Sequence, residues 1–206
     1  MNFNLLNICF NIKSKLNYLT MKKITLFILL AVLYSTFTFA QDESMQKWMA
    51  YMTPGPEHQK LAKLNGNWVY TSKMWMDPKA EPVTTQGTAE CIMLLDGRYS
   101  HMKVSGNIMG MPFNGISIVA FDNGKKTWLT TWIDNMGTGI MYGEGKWDEA
   151  SKSIIFTGKM YDPMAGKDVD YKETMKFVDD NTMGMEMFTV VDGKDIKNME
   201  ITYTRK

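Results

Sequence analysis

Apolar and polar residues alternate at every second position through most of the chain after residue 66. Successive side chains of a β-strand point to opposite faces, so this period predicts strands with one buried face. Turn-forming pairs divide the alternation into short runs, among them Asp96-Gly97, Asn123-Gly124 and Asp192-Gly193, and such pairs supply the positive φ angles of tight hairpins. The predicted strands cover residues 67–76, 85–94, 99–107, 113–121, 127–134, 139–147, 153–160, 168–178, 182–191 and 196–204.

This series of short strands joined by tight turns predicts an all-β fold, an antiparallel meander. A long meander hides its edge strands by closing into a barrel, because a closed barrel has no free edge. We therefore expect a closed barrel of about ten strands over residues 66–206, with a β-sandwich as the alternative. A barrel of about eight to ten strands is either filled by its own side chains or holds one small ligand, and the sequence leaves both open.

A helical pattern precedes the strands, over residues 41–65. From Met45 to Met52 the apolar residues recur at i, i+3, i+4 and i+7, which places them on one face of a helix. A Pro-Gly-Pro break follows, and Pro56 begins a second short helix that ends before Gly66. We expect this helical segment to cap the barrel.

Residues 21–40 carry the pattern of a secretory signal peptide. Two lysines are followed by an apolar run and by small residues that end at Ala40, which predicts cleavage after Ala40. The run is shorter than the roughly 20 apolar residues of a transmembrane helix, and an uncleaved N-terminal anchor is the alternative. We then expect residues 1–20 to be an over-extended N-terminus ahead of Met21. The residue directly after the cleavage point is Gln41 and not a cysteine that could carry a lipid, so we expect an exported, periplasmic or extracellular protein without a stable membrane anchor.

Charge and cysteine content narrow the class of protein. Of the 23 Lys and Arg, four precede residue 41 and no Asp or Glu does, so the 22 acidic residues leave the exported part with a net charge of −3. This balance argues against nucleic acid or an anionic membrane as the partner, since both need a basic face. Cys91 is the one cysteine after Ala40, so we expect no intrachain disulfide and interpret Cys91 as a small buried hydrophobic residue.

A G-x-W pattern begins the first predicted strand, at Gly66, Asn67 and Trp68, and Arg205 ends the last strand. The chain resembles the lipocalins and fatty-acid-binding proteins in this arrangement. In those proteins such a tryptophan closes the base of the barrel, and a late Arg or Lys packs over its indole as a cation–π contact. The resemblance implies that Trp68 and Arg205 close one end of this barrel.

Further motifs extend the resemblance over about residues 52–206. In order along the chain they are TPGPEHQKLAKLNGNW, MWMDP, DGRY, GMPFNG, FDNGKK, TTWIDNMGTGIM, DPMAGK and MEITYTRK. Together they resemble a family of exported bacterial proteins that is catalogued only as a domain of unknown function. The resemblance implies a lipocalin-like, calycin-type β-barrel, and it brings no established activity and no catalytic residues.

Methionine and aromatic residues dominate the faces that we predict to be interior. Met183, Met185 and Met187, here called the methionine row, alternate on the ninth predicted strand. Flexible thioethers fill irregular spaces or form an adaptable pocket wall, and a Cu(I) site is the alternative. Small-molecule sites have this apolar and aromatic composition. The predicted ligand-binding residues are Tyr70, Met74, His101, Trp132, Met183, Met185, Met187 and Tyr203.

Two carboxylates are the candidates for acid–base catalysis. By strand parity, Glu173 shares a face with Tyr171 and Met175, and Asp134 shares a face with Trp132. A carboxyl group inside an apolar barrel has a raised pKa and can serve as an acid or a base. The alternative is that each carboxylate pairs with a neighbouring Lys, Arg or Tyr.

Three functions remain open from the sequence. We expect the lumen to bind a small apolar or amphipathic molecule. The alternatives are a barrel enzyme that uses Glu173 or Asp134, and a structural or interaction module that uses the N-terminal helix and the apolar loop 107–113 as contact surfaces. His58 and His101 are the only histidines, and no Cys-x-x-Cys or His-x-x-x-His is present, so we predict no metal site and no cofactor.

Overall fold

In a computed structural model of the protein, residues 21–22 and 43–206 are described. The chain divides into two compact units between Met52 and Thr53, and each unit is treated by itself. The predicted signal peptide and over-extended N-terminus lie outside the described residues, apart from residues 21–22. Within the described ranges, no helix is long and apolar enough to cross a membrane.

Ten strands of the second unit form one closed antiparallel barrel. Each strand pairs with its neighbours in sequence, and β1 pairs with β10 to complete the closure. The strands are β1 (Gly66–Met74), β2 (Val83–Leu94), β3 (Tyr99–Ile108), β4 (Met111–Asp122), β5 (Thr127–Asp134), β6 (Met141–Asp148), β7 (Ser153–Asp162), β8 (Lys167–Asp179), β9 (Thr182–Val191) and β10 (Lys194–Arg205). The closed meander predicted from the two-residue period is confirmed.

Two of the predicted tight turns differ in how they are built. In the β9–β10 turn, Asp192 and Gly193 have φ angles of 49° and 73°, as a tight Asp-Gly hairpin requires. The β4–β5 turn is not a two-residue Asn123-Gly124 hairpin, because the positive φ falls at Lys126, at 54°. There the Asp122 carboxylate accepts hydrogen bonds from two following backbone amides, so an aspartate side chain fixes the turn.

The base of the barrel, the end where β1 begins, is closed by a tryptophan and an arginine. Trp68 is 1% exposed, and its indole N–H donates to the carbonyl oxygen of Leu64 at 2.9 Å. The guanidinium carbon of Arg205 lies 4.3 Å from the centroid of the Trp68 ring, and its nitrogens donate to three backbone carbonyls. This geometry plugs the end of the barrel and ties β10 to the segment before β1.

Helical segments precede the barrel in each unit, and two of them lie in the continuous described range 43–206. Helix α1 covers residues 43–52 of the first unit. Helix α2 (Pro56–Ala62) belongs to the second unit and packs against the base through Leu61, which is fully buried. The His58 imidazole is also buried, and its Nδ1 accepts a hydrogen bond from the backbone amide of Gly55 at 3.0 Å. The expectation that α1 caps the barrel stays a prediction.

The upper end of the barrel, where β1 ends, has exposed methionines at its loop tips. Met164, in the β7–β8 turn, is 94% exposed, and Met76, after β1, is 78% exposed. The first strand, predicted over residues 67–76, ends two residues earlier than expected, because pairing of β1 with both neighbours ends at Met74. Beyond Met74 the chain leaves the barrel wall, and strand parity no longer directs the side chains.

The predicted contact loop 107–113 is mostly strand. β3 runs to Ile108 and β4 begins at Met111, so Met109 and Gly110 alone form the turn. The Met109 and Met111 side chains are exposed. The apolar surface at this point is therefore the tip of a paired hairpin.

Candidate functional site

The barrel encloses a cavity of ≈ 420 Å³. Its wall is drawn from all ten strands at alternating positions, as with Ser100, Met102 and Val104 of β3. The cavity reaches Met136, in the loop after β5, and so extends to the upper end of the barrel. The barrel interior is hollow above a closed base, which is the arrangement of a barrel that can hold a small ligand.

Methionine is the commonest residue type of the cavity wall. The methionine row of β9 lines the cavity, as its spacing predicts. The other methionines of the wall are Met74, Met102, Met136, Met141, Met160, Met175 and Met199. Because the thioether chain is unbranched and rotates freely, such a wall adapts its shape to what it contacts.

Three aromatic residues of the predicted ligand-binding set also line the cavity. Tyr70 and Tyr203 are register partners on β1 and β10, and their ring centroids lie 5.8 Å apart. Trp132 of β5 stacks on Phe113 of β4, with centroids 6.2 Å apart and planes inclined by 26°. These rigid rings give fixed surfaces to a wall that is otherwise flexible.

Glycines on nearby strands make room for these rings, with Gly106 two strands away from Tyr70 and Gly115 on the strand next to Trp132. A Cβ atom on Gly106 would lie 2.3 Å from the hydroxyl oxygen of Tyr70. A Cβ atom on Gly115 would lie 2.3 Å from the Trp132 ring. The rings therefore lie close against the backbone of the wall. These glycines had no role in the sequence prediction, since alternation alone does not show which ring covers them.

Glu173 of β8 borders the cavity. Its register partners are Phe156 on β7 and Met187 on β9, and neither has an ionisable group. Because apolar groups displace water from the carboxyl, burial raises the pKa of Glu173 from 4.5 to about 7. The side chain keeps some accessible surface, since it faces a hollow and not a packed core. The interior placement is the one that strand parity predicts.

Asp134, the second predicted carboxylate, lies where β5 ends and also borders the cavity. Its Oδ2 accepts a hydrogen bond from the Trp132 indole N–H at 2.6 Å. Its Oδ1 accepts from the backbone amides of Met136 at 2.8 Å and Gly137 at 3.2 Å. The carboxylate thus holds both the Trp132 ring and the β5–β6 loop at the mouth of the cavity.

His101, a member of the predicted ligand-binding set, does not line the cavity, and its expected interior position is wrong. The lining residues of β3 are Ser100, Met102 and Val104, so His101 occupies the alternate, outward position. It lies between the outward-facing Ile92 and Ile118 on the paired strands. The period of two fixes which residues share a face, and on this strand the interior face was assigned wrongly.

The cavity wall also contains hydroxyl groups, and the sequence prediction missed these groups. They share a face with predicted residues such as Tyr70 and Trp132, and each brings one donor and two acceptor positions. The alternation of residues along each strand places these hydroxyls on the inner face. It does not show whether that face borders a hollow or a packed core. These residues are Ser72, Thr85, Ser100, Ser117 and Thr130.

Metal-ligating groups are scattered in the part of the chain that is described. There, no three His, Cys, Asp or Glu side chains converge on a point that could hold an ion. Cys91 is fully buried with its Sγ 3.2 Å from the Ser100 hydroxyl oxygen, and burial raises the pKa of its thiol. Such a thiol is a packing residue. The Cu(I) hypothesis concerns the thioethers of the methionine row and stays a hypothesis.

A second hollow of ≈ 280 Å³ lies beside α2 at the base. The Nζ atom of Lys60 lies 3.1 Å from the Trp147 ring centroid there, so a lysine side chain covers the indole. This hollow belongs to the closed end of the barrel and is separate from the lumen. Its wall consists of Pro56, Glu57, Lys60, Phe121, Lys126, Trp128, Lys146 and Trp147.

Comparison with solved structures finds a similar fold in "Crystal Structure of Rv2717c from M. tuberculosis". The TM-score is 0.54 and the sequence identity is 11%, over 75% of this chain and 99% of that chain. At this identity the likeness concerns the fold alone. Among curated protein sequences, none matches this chain.

The sequence also matches a family over residues 53–205, which contain α2 and the ten strands. The matched range agrees with the range 52–206 over which the motifs show a resemblance. The family is described as "Protein of unknown function (DUF1579)". The chain belongs to the DUF1579 family.

Proposed function

We propose that this protein binds a small apolar or amphipathic molecule inside its barrel. The observation that carries the proposal is the cavity of ≈ 420 Å³ above a closed base, with a wall made mostly of methionine and aromatic residues. Ligand sites in proteins typically occupy about 300–1,000 Å³ and combine such a wall with a few polar groups. In this cavity those polar groups are Glu173, Asp134 and the wall hydroxyls.

The composition of the wall supports a ligand that is held by shape and apolar contact. The methionine row and its neighbours can adjust to several ligand outlines, whereas Tyr70, Trp132 and Tyr203 provide fixed faces. Apolar contact contributes about 25 cal/mol for each Å² removed from water. A ligand that fills the hollow therefore gains its affinity mainly from burial.

Ligand binding is favoured over acid–base catalysis because the two cavity carboxylates, Glu173 and Asp134, do not act on one position. General acid–base catalysis needs two groups within hydrogen-bond reach of one substrate position. Both oxygens of the Asp134 carboxylate already accept hydrogen bonds, from the Trp132 indole and from the β5–β6 loop. Among the described residues, no hydrogen bond joins Glu173 to Asp134 or to a tyrosine.

We further propose that the protein acts outside the cytoplasm, after removal of a signal peptide. The support is the basic and apolar pattern of residues 21–40 with small residues up to Ala40. N-terminal sequencing of protein recovered from the exported fraction tests this. We expect the exported chain to begin at Gln41, and a protein found in the cytoplasm with Met21 retained would contradict export.

Titration with N-phenyl-1-naphthylamine, which fluoresces strongly in apolar surroundings, tests binding. We expect a saturable rise in fluorescence with one site for each chain. Met185→Trp places a large ring in the lumen and is expected to weaken binding at least about tenfold, because it fills the space that the probe needs.

Phe188→Trp is the matched control, since Phe188 lies on the outer face of the same strand beside Lys172. Its binding should equal that of the wild type. Circular dichroism checks that both variants are folded. Wild-type protein that shows no saturable signal, or a Met185→Trp variant that binds as well as Phe188→Trp, would contradict the proposal.

A further inference from the structure

The ionisable groups of the cavity wall have one sign of charge. Glu173 lies within the cavity and Asp134 at its mouth, and both are acidic. Among the described residues that line the cavity, there is no Lys, Arg or His. Any molecule that enters therefore meets negative charge in a region from which water is largely displaced, where charge interactions are strong.

Strand parity keeps the neighbouring lysines away from Glu173. Lys172 points to the outer face, where it forms an ion pair with Asp195 on β10. Lys176, on the same outer face, is exposed. Within the described part of the chain, Glu173 itself has no hydrogen-bond or ion-pair partner. A buried carboxylate without a partner is unfavourable, so a cation brought in by a ligand would relieve that cost.

The rest of the wall also suits a cation. Tyr70, Trp132 and Tyr203 line the cavity, and aromatic rings attract an ammonium group through their quadrupole. An anionic head group would meet two carboxylates and no cationic side chain among these residues. The wall thus discriminates between amphiphiles of opposite charge that have the same apolar body.

We propose that the ligand is a cationic amphiphile, an apolar molecule with one protonated amine that pairs with the Glu173 carboxylate while the methionine wall encloses its apolar body. This inference rests on the proposed function, since it names the chemical class of the lumen ligand. Asp134 has a second part in it, because its carboxylate is fixed at the mouth and attracts a cation as it enters.

The protonation of Glu173 gives the pairing a pH dependence. Burial raises the pKa of Glu173 to about 7, and a bound ammonium holds the carboxyl ionised. Affinity for an amine therefore rises as the pH increases from about 5 to 8, below the pKa of the amine. Tyr171 and Tyr203 face Glu173, and burial followed by the charge of Glu173 raises the pKa of both, so they stay neutral in this range. The register partners of Glu173 on β7 and β9, Phe156 and Met187, are apolar.

Three probes with the same chain and different head groups test the inference. Decylamine, decanol and decanoic acid are titrated against the purified protein at neutral pH by displacement of N-phenyl-1-naphthylamine, below their micelle concentrations. We expect the amine to bind at least about tenfold more tightly than the alcohol, and the acid more weakly than both, since hydrogen bonds to charged groups are the stronger ones.

Glu173→Gln removes the charge and keeps the shape of the side chain. We expect it to abolish the advantage of decylamine over decanol, with little change for decanol, whose binding also shows that the cavity is intact. Glu186→Gln, on the outer face of β9, should leave all three affinities unchanged. The affinity of the wild type for decylamine should rise with pH, and that for decanol should not.

The outcomes separate the two proposals. Equal binding of amine and alcohol by the wild type, or tighter binding of the acid, would overturn the cationic ligand and leave lumen binding standing. An amine preference that survives in Glu173→Gln would overturn the role of Glu173. If none of the three probes displaces bound N-phenyl-1-naphthylamine, the cationic ligand is overturned and lumen binding still stands on the dye. If the dye itself shows no saturable binding, the proposed function is overturned as well.

Discussion

Glu173 on β8 lies directly opposite Met187 on β9, so that a carboxyl group is set among thioethers. Along the same two strands, Met175 opposes Met185 and Phe177 opposes Met183. Along this stretch of β8 and β9, a single acid therefore interrupts an otherwise apolar inner face. Its position follows from strand parity, which turns its lysine neighbours outward and leaves the carboxyl facing the hollow.

The raised pKa of Glu173 predicts that stability depends on pH. The folded-state pKa of about 7 exceeds the ordinary value of 4.5, so the folded chain holds this proton more tightly than the unfolded chain does. The proton on Glu173 therefore stabilises the fold fully below about pH 4.5, and this stabilisation is lost as the pH rises through about 7. It amounts to on the order of 3 kcal/mol of unfolding free energy. Urea midpoints measured at several pH values should show this decrease.

Glu173→Gln should remove that decrease, because the amide does not titrate. At a pH above about 8 we expect the variant to be more stable than the wild type, and at about pH 5 the two should be similar. Glu186→Gln, whose carboxylate pairs with Lys197 on the outer face, should keep the wild-type pH dependence at the Glu173 step. Wild-type stability that stays level across this range would count against a desolvated Glu173.

The close approach of Tyr70 to Gly106 predicts a steric cost for alanine. A Cβ at Gly106 would lie 2.3 Å from the Tyr70 hydroxyl oxygen, so Gly106→Ala must displace the ring, at about 1–3 kcal/mol of stability. Gly184→Ala is the control, since its Cβ would meet the Lys176 Cβ at an ordinary 3.7 Å. Thermal unfolding measures both. If the two variants are equally stable, the ring does not lie against the β3 backbone.

The Trp68–Arg205 contact predicts that Arg205 stabilises the base. Its guanidinium stacks on the indole and donates to the carbonyl oxygens of Lys63, Asn65 and Asp180. Arg205→Ala should cost roughly 2 kcal/mol or more of unfolding free energy.

Arg205→Lys is the matched variant for this contact. It keeps the charge but not the planar fork of donors, so it should recover only part of the lost stability. Unfolding in urea gives both values. Arg205→Lys as stable as the wild type would show that charge alone suffices, and an unchanged Arg205→Ala would exclude a stabilising role.

The fold could be read from the sequence because each signal is local. Alternation and turn residues set the strands, and closure of the barrel was expected because a long meander hides its edge strands in this way. The errors occurred where the signal was weak. His101 lies on a strand with methionine and valine on one face and isoleucine partners on the other, and Met76 lies beyond the last paired residue of β1.

The candidate site could be predicted only in part. Parity placed Glu173 and the methionine row on interior faces, but the hollow itself depends on how ten strands curve and on which rings cover which glycines. Gly106 and Gly115 are examples, since their contacts with Tyr70 and Trp132 join residues far apart in sequence. Such contacts have no periodic signature in a single sequence.

Methionine-methyl NMR spectra of the protein during a decanol titration test lumen binding most directly. Decanol is neutral, so the result does not depend on the charge of Glu173. Binding in the lumen predicts that the methyl signals of Met183, Met185 and Met187 shift and saturate together, whereas that of Met164, 94% exposed in the β7–β8 turn, stays in place. Saturable shifts confined to exposed methionines, or no shifts at any decanol concentration, would contradict it.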